Sequence, residues 1–193
     1  MFELKKLHDL LVLRITQLNK EKKTFPLAQI VGRAGISWTS EVPVDKGWID
    51  IYVPEQKGIE QPYAIEVQTG YDFNCAGILQ KLERFKKAMP KKHKAEIVTV
   101  GSGLIIASTP IQPKLCVVIP PDFTEFTPLF KAKEISVFLW EGTLEWECKK
   151  CKEVTLSSGP WKPITCSSKS CHAKQRQFRL VGLADFGIKK ADV

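Results

Sequence analysis

Long apolar runs are missing from this chain. No stretch approaches the roughly 18 uninterrupted apolar residues that a membrane-spanning helix requires. The opening MFELKKLHDLLVLRITQL breaks its leucines with charges and lacks the small-residue cleavage site of a secretory signal. The expectation is a soluble, cytoplasmic protein with no membrane partner. Internal repeats and low-complexity tracts are absent too. With 44% hydrophobic and 26% charged residues, wholesale disorder is excluded. Histidine is scarce at three residues, and neither His8 on a helical stretch nor His93 in a basic one suggests a role by itself. A length of 193 residues suits one domain, or one domain with a small appendage.

The net charge of +8 is unevenly spread. Residues 149–193 hold ten basic residues against three acidic ones, a local +7. Residues 79–94, LQKLERFKKAMPKKHK, hold seven against one, a local +6. The rest of the first 148 residues is therefore acidic. Two basic blocks beside an acidic remainder have the pattern of a polyanion-binding surface next to a carboxylate site.

Four of the six cysteines form C-x2-C (Cys148, Cys151) and C-x4-C (Cys166, Cys171), fourteen residues apart. Two short-spaced pairs across a hairpin-sized gap suit tetrahedral Zn²⁺, each pair offering two thiolates. His172, beside Cys171, is an alternative fourth ligand. Two disulfides would need an oxidising compartment, for which no secretion signal exists. Four protein ligands leave no open position for water, so the expected zinc is structural. Leu144–Glu147 and Val154–Leu156 read as the flanking strands of a zinc ribbon, with a turn at Ser157–Pro160. Cys75 and Cys116 lie in apolar surroundings and are expected to be packing residues. The chain then divides into an α/β domain over 1–140 and a zinc-ribbon module over 141–193.

Apolar residues from Phe2 to Leu18 recur at helical spacing, and Lys20, Lys22 and Lys23 end that helix before Pro26. Leu27–Val31 is a second short helical piece. Extended segments follow at Trp38–Val44, Trp48–Val53 and Tyr63–Thr69, the first two joined by a turn at Asp45-Lys46-Gly47. Residues 74–89 form an amphipathic helix, capped by Asp72 or Asn74 and stopped by Pro90. Strands are expected at Glu96–Val100, Leu115–Ile119 and Ile135–Trp140, with loops around Gly101–Gly103 and Pro110–Pro113. The third strand then crosses over a helix to the fourth, as in an α/β fold. Trp48 is expected to pack in the core.

Two of these strands each carry one acidic residue, Asp50 and Glu66, in otherwise apolar surroundings. Burying a carboxylate is costly unless it is paired or metal-bound. If Val53 pairs with Tyr63 across the loop, Asp50 falls opposite Glu66 on the same side of the sheet. Opposed carboxylates repel unless a cation separates them, and oxygen ligands suit Mg²⁺ or Mn²⁺. Gln68 shares the face of Glu66. A two-residue turn at Asp45-Lys46 would add Glu41 opposite Asp50; a three-residue turn would shift it by one.

At Asp50 and Glu66-Val67-Gln68 the sequence resembles the PD-(D/E)XK nuclease superfamily over about residues 1–120. That resemblance implies a restriction-endonuclease-like mixed sheet flanked by helices. It also implies metal-dependent hydrolysis of DNA phosphodiester bonds, with homodimers common. Asp50, Glu66 and the Val67 carbonyl would hold the divalent ion. Gln68 stands where a lysine usually orients the attacking water, as in E-x-Q members of the superfamily. Lys81, on the following helix, would supply the missing positive charge. The same resemblance allows an inactive relative that only binds nucleic acid.

Overall fold

The computed structural model describes residues 2–18, 25–44, 47–71, 73–88, 92–100 and 103–191. Lys20, Lys22, Lys23, the Asp45-Lys46 turn, Asp72 and Pro90 lie outside these residues. Leu7, Leu11 and Ile15 recur every fourth residue and are buried, so helix α1 (Phe2–Thr16) docks by one stripe. Helix α2 (Pro26–Val31) starts on Pro26 and ends at Gly32, whose φ of 77° places it in the left-handed region. Strands β1 (Thr39–Val44), β2 (Gly47–Val53) and β3 (Tyr63–Val67) follow as an antiparallel meander. Helix α3 (Cys75–Ala88) then starts where Asn74 Oδ1 accepts the N–H of Gly77 at 3.0 Å.

Strands β4 (Lys92–Val100) and β5 (Gly103–Ile111) pair only with each other, as a two-stranded sheet apart from the main one. The strand expected at Glu96–Val100 therefore exists but does not neighbour β3. The crossover from β3 through α3 lands instead on β6 (Lys114–Ile119), which runs parallel to β3. The loops expected around Gly101–Gly103 and Pro110–Pro113 are partly strand: β5 begins at Gly103 and runs through Pro110 to Ile111, and its β-branched Ile105, Ile106 and Thr109 favour that state, while Gly101 and Ser102 lie outside the described residues.

A short 3₁₀ segment (Pro121–Phe126) and helix α4 (Thr127–Lys131) lead to β7 (Ile135–Cys148), parallel to β6. Strands β8 (Val154–Ser158) and β9 (Phe178–Lys190) pair with β7 antiparallel. The main sheet thus has seven strands in the order β1-β2-β3-β6-β7-β8, with β9 also along β7. The boundary expected at 140/141 falls inside β7. Because β9 pairs back to Phe138, the cysteine-bearing segment extends the same sheet.

Apolar side chains on both faces fix three layers. Ile51, Val53, Ile65, Val67, Val118 and Trp140 pack with α1 and α2. Ile49, Ala64, Val117, Ile119 and Val137 pack with α3 and α4. Trp48 is not part of either cluster; it is 57% exposed. Among the described residues no helix is long and apolar enough to cross a membrane.

Candidate functional site

The site begins at a fork in the sheet. Strands β2 and β3 pair Val53 with Tyr63 and Ile51 with Ile65, the register expected from the loop. The ladder stops there, one step short of Asp50 and Glu66. Instead, Asp50 Oδ2 accepts the N–H of Val67 at 2.6 Å. Ile49 and Ile51, two residues apart, belong to clusters on opposite faces, so β2 turns over at Asp50. A side chain at such a twist is reachable from the helices of both layers. Its two neighbours are accordingly His8 of α1, whose Nε2 is 3.3 Å from Asp50 Oδ2, and Lys81 of α3, whose Nζ is 3.9 Å from Oδ1.

Glu66 is 4% exposed and stands against Lys81 more closely. The ammonium lies 2.6 Å from both carboxylate oxygens. Only Oε1 meets hydrogen-bond geometry, accepting from Lys81 and, at 3.1 Å, from Gln68 Nε2. Oε2 is buried without a hydrogen-bond donor. Burial pushes the Glu66 carboxyl up, and the charge of Asp50 adds to this, so despite Lys81 it is raised to about 8. For His8, burial lowers the pKa, but the hydrogen bond and charge of Asp50, helped by Glu66 and Asp9, outweigh it and hold it above 6.5.

Glu41 falls opposite Asp50 by register, since Ser40 pairs with Ile51 and Val42 with Ile49. Its own pair is missing from that ladder. The residue is exposed, with φ at 51°, and no hydrogen bond or ion pair joins it to Asp50 or Glu66 among the described residues. The site is thus Asp50, Glu66, Gln68 and Lys81, joined by His8. Sequence reasoning missed His8. Its signal was placement three and seven residues before Leu11 and Ile15, on the flank of the buried stripe of α1.

The second site stands at the far end of β7. Cys148, Cys151, Cys166 and Cys171 bring their sulfurs within 4.8 Å of one another. The Cys148–Cys171 and Cys151–Cys166 sulfurs are 3.7 and 3.5 Å apart. A disulfide needs about 2.05 Å, whereas tetrahedral thiolates at about 2.3 Å from zinc lie about 3.8 Å from each other. The cluster can hold a metal ion such as zinc. His172 is exposed and outside it, so Cys171 completes the set. Backbone N–H groups of Cys151 and Lys150 hold the Cys148 thiol down to about 7. Cys151 is raised to about 12: its hydrogen bond to the Glu153 backbone lowers it, but burial and the neighbouring thiols prevail. Crowded thiols of this kind ionise together only around a cation. Cys116 is buried and pushed up to about 12 by that burial, as a packing residue should be, while Cys75 is half-buried.

Several basic residues are engaged within the fold. Lys86 pairs with Glu134 and Lys133 with Glu83. Arg179 and Lys152 both meet Glu147, and Lys189 meets Glu141. Lys150, Lys169 and Lys174 are exposed around the cysteine cluster. No protein-family model, curated protein or solved structure matches this chain.

Proposed function

We propose that the chain is a divalent-metal-dependent DNA endonuclease of PD-(D/E)XK type, with its four cysteines holding a structural zinc. The observation that carries this reading is the meeting of Asp50, Glu66 and Lys81 at the β2/β3 fork. Two buried carboxylates converge there, and Glu66 Oε2 lacks a hydrogen-bond donor. Such a donor set fits Mg²⁺ or Mn²⁺. The element order supports it: two helices, an antiparallel meander carrying both carboxylates, a helix, then, past the β4–β5 hairpin, a strand parallel to β3.

Asp50, Glu66 and the Val67 carbonyl would hold the ion. When bound, it would polarise a phosphodiester and lower the pKa of a coordinated water. Asp50 is oriented for this by the Val67 N–H and by His8. Gln68 fixes Glu66 through Oε1 and offers no positive charge of its own. Lys81 would release Glu66 to the ion and turn its ammonium toward the charge developing on the phosphate. The exposed lysines around the cysteine cluster would meet the DNA backbone.

A second reading is favoured by the same lysine. Lys81 already stands against both oxygens of Glu66, where the ion would bind, so the chain would be an inactive nuclease fold that binds nucleic acid. Cleavage of plasmid, single-stranded and branched DNA with Mg²⁺ or Mn²⁺ decides between them. Metal-dependent cleavage that Asp50→Ala and Glu66→Ala abolish supports the nuclease. Salt-sensitive DNA binding without cleavage, unchanged by both substitutions, supports the binder.

A further inference from the structure

At Asp50 and Glu66 the sheet parts. From there β2 stays with β1, pairing Ile49 with Val42 and Trp48 with Pro43. Strand β3 stays with β6, pairing Val67 with Val118, and the Gln68 N–H carries that ladder on to the Val118 carbonyl at 2.8 Å. The two strands share no pair past Ile51 and Ile65. The fork therefore opens away from the carboxylates and Lys81.

Each arm of the fork leads to a tryptophan that the core does not claim. On the β2 arm, Trp48 stands two residues before Asp50 and is mostly exposed. On the β3 arm, Tyr71 follows Gln68 by three residues, and its ring meets Trp161 edge-on at 5.4 Å and 69°. Trp161 comes from the loop after β8 and is fixed in place. Asp122 Oδ2 accepts its indole N–H at 2.9 Å, and the Tyr71 hydroxyl accepts the N–H of Lys162 next to it. Asp122 follows the end of β6 by three residues, so Trp161 sits past the C-terminal ends of β3 and β6. It is nevertheless 47% exposed. Its N–H is already satisfied, so what it offers to solvent is apolar ring surface.

We propose that Trp161, with Trp48 across the fork, stacks on unpaired bases, which makes an unpaired DNA strand the substrate class of this site. The proposal rests on the nuclease reading for the reacting phosphate but not for the stacking. Bases inside a duplex are stacked on one another and show a side chain no free face, whereas unpaired bases do. Stacking tolerates any base, so the preference is for strand state and not for sequence.

Fluorescence anisotropy of labelled oligothymidine and of a duplex of equal length tests it, with the full zinc-loaded chain and no added Mg²⁺ or Mn²⁺. Wild type should bind the single strand at least about tenfold more tightly than the duplex. Trp161→Ala should lose about tenfold on the single strand and nothing on the duplex. Its salt dependence should stay that of wild type, because no phosphate contact is removed. Trp161→Phe should recover most of the loss, and Trp48→Ala should act in the same direction as Trp161→Ala. Oligothymidine should also quench the tryptophan emission of wild type more than that of Trp161→Phe. If Trp161→Ala loses its zinc, that quenching difference decides alone. Equal affinity of wild type for single strand and duplex, Trp161→Ala binding the single strand as wild type does, or a loss shared equally by the duplex would overturn the proposal. The nuclease reading fails separately, by absence of Asp50-dependent cleavage, and the single-strand preference would survive that result.

Discussion

Lys81 is the residue on which the carboxylate site turns, because it is the cation nearest to both acids. Lys81→Met should cost about 2 kcal/mol at pH 8 without added divalent ion, since a buried acid pair would lose its counter-charge. The loss should be smaller at pH 6, where Glu66 takes up a proton instead. Urea denaturation at both pH values checks this, and Mn²⁺ should restore part of the loss. The wild type has its own pH signature. Glu66 titrates near 4.5 when unfolded and near 8 when folded, so the stability it contributes is present below 4.5 and lost as pH rises through 8. His8, held above 6.5, acts with the same sign. The urea midpoint should therefore fall as pH rises from about 4.5 to about 8, and Glu66→Gln should flatten that slope. At this scale the sequence was informative where strand register governs. The Val53–Tyr63 pairing brought Asp50 and Glu66 together by counting alone. It was silent where two faces meet: nothing local marks the turn of β2 at Asp50 or the left-handed Glu41, and His8 arrives from 42 residues upstream.

Strand β7 couples the two sites as an element. It runs from the parallel core at Val137 to Cys148 of the four-cysteine cluster without a break, and β9 accompanies it from Phe138 to Cys148. Loss of the metal should thus be felt along the sheet. Elemental analysis should find one zinc per chain, retained in His172→Ala and lost in Cys171→Ser. The cysteine variant should also melt at lower temperature, measured by circular dichroism. A second tie lies just beyond β3. Gly70 has φ of 98°, and an added Cβ would come within 2.9 Å of Phe123, 3.0 Å of Pro120 and 3.1 Å of Pro160. Tyr71 next to it meets Trp161 edge-on and accepts the N–H of Lys162 at 2.9 Å. Gly70→Ala should destabilise by about 2 kcal/mol in urea denaturation, through strain and overpacking together. Helices α1 and α3 were readable from their stripes, whereas the five-residue α4 was too short to show one, and the cysteine spacing foretold the cluster of Cys148, Cys151, Cys166 and Cys171. The continuity of β7 and the existence of β9 were not legible, because a strand buried on one side for part of its length carries no single period.

For the whole molecule, charge was a better guide to position than to purpose. Lys81 of the basic helix reaches both carboxylates, yet Lys86, Lys152, Arg179 and Lys189 are tied to glutamates of the fold. The exposed lysines beside the cysteine cluster form the remaining candidate grip on phosphate. What joins these parts into one function is the idea that a helix lysine replaces the lysine missing from the Glu66-Val67-Gln68 strand. Single-turnover nicking of supercoiled plasmid with Mn²⁺ tests it most directly, in wild type, Asp50→Ala, Lys81→Met and Lys81→Met/Gln68→Lys. The account predicts nicking by wild type, none by Asp50→Ala, a loss of about a hundredfold in Lys81→Met, and partial recovery in the double variant. Nicking by Asp50→Ala at the wild-type rate, or Lys81→Met as active as wild type, would contradict it.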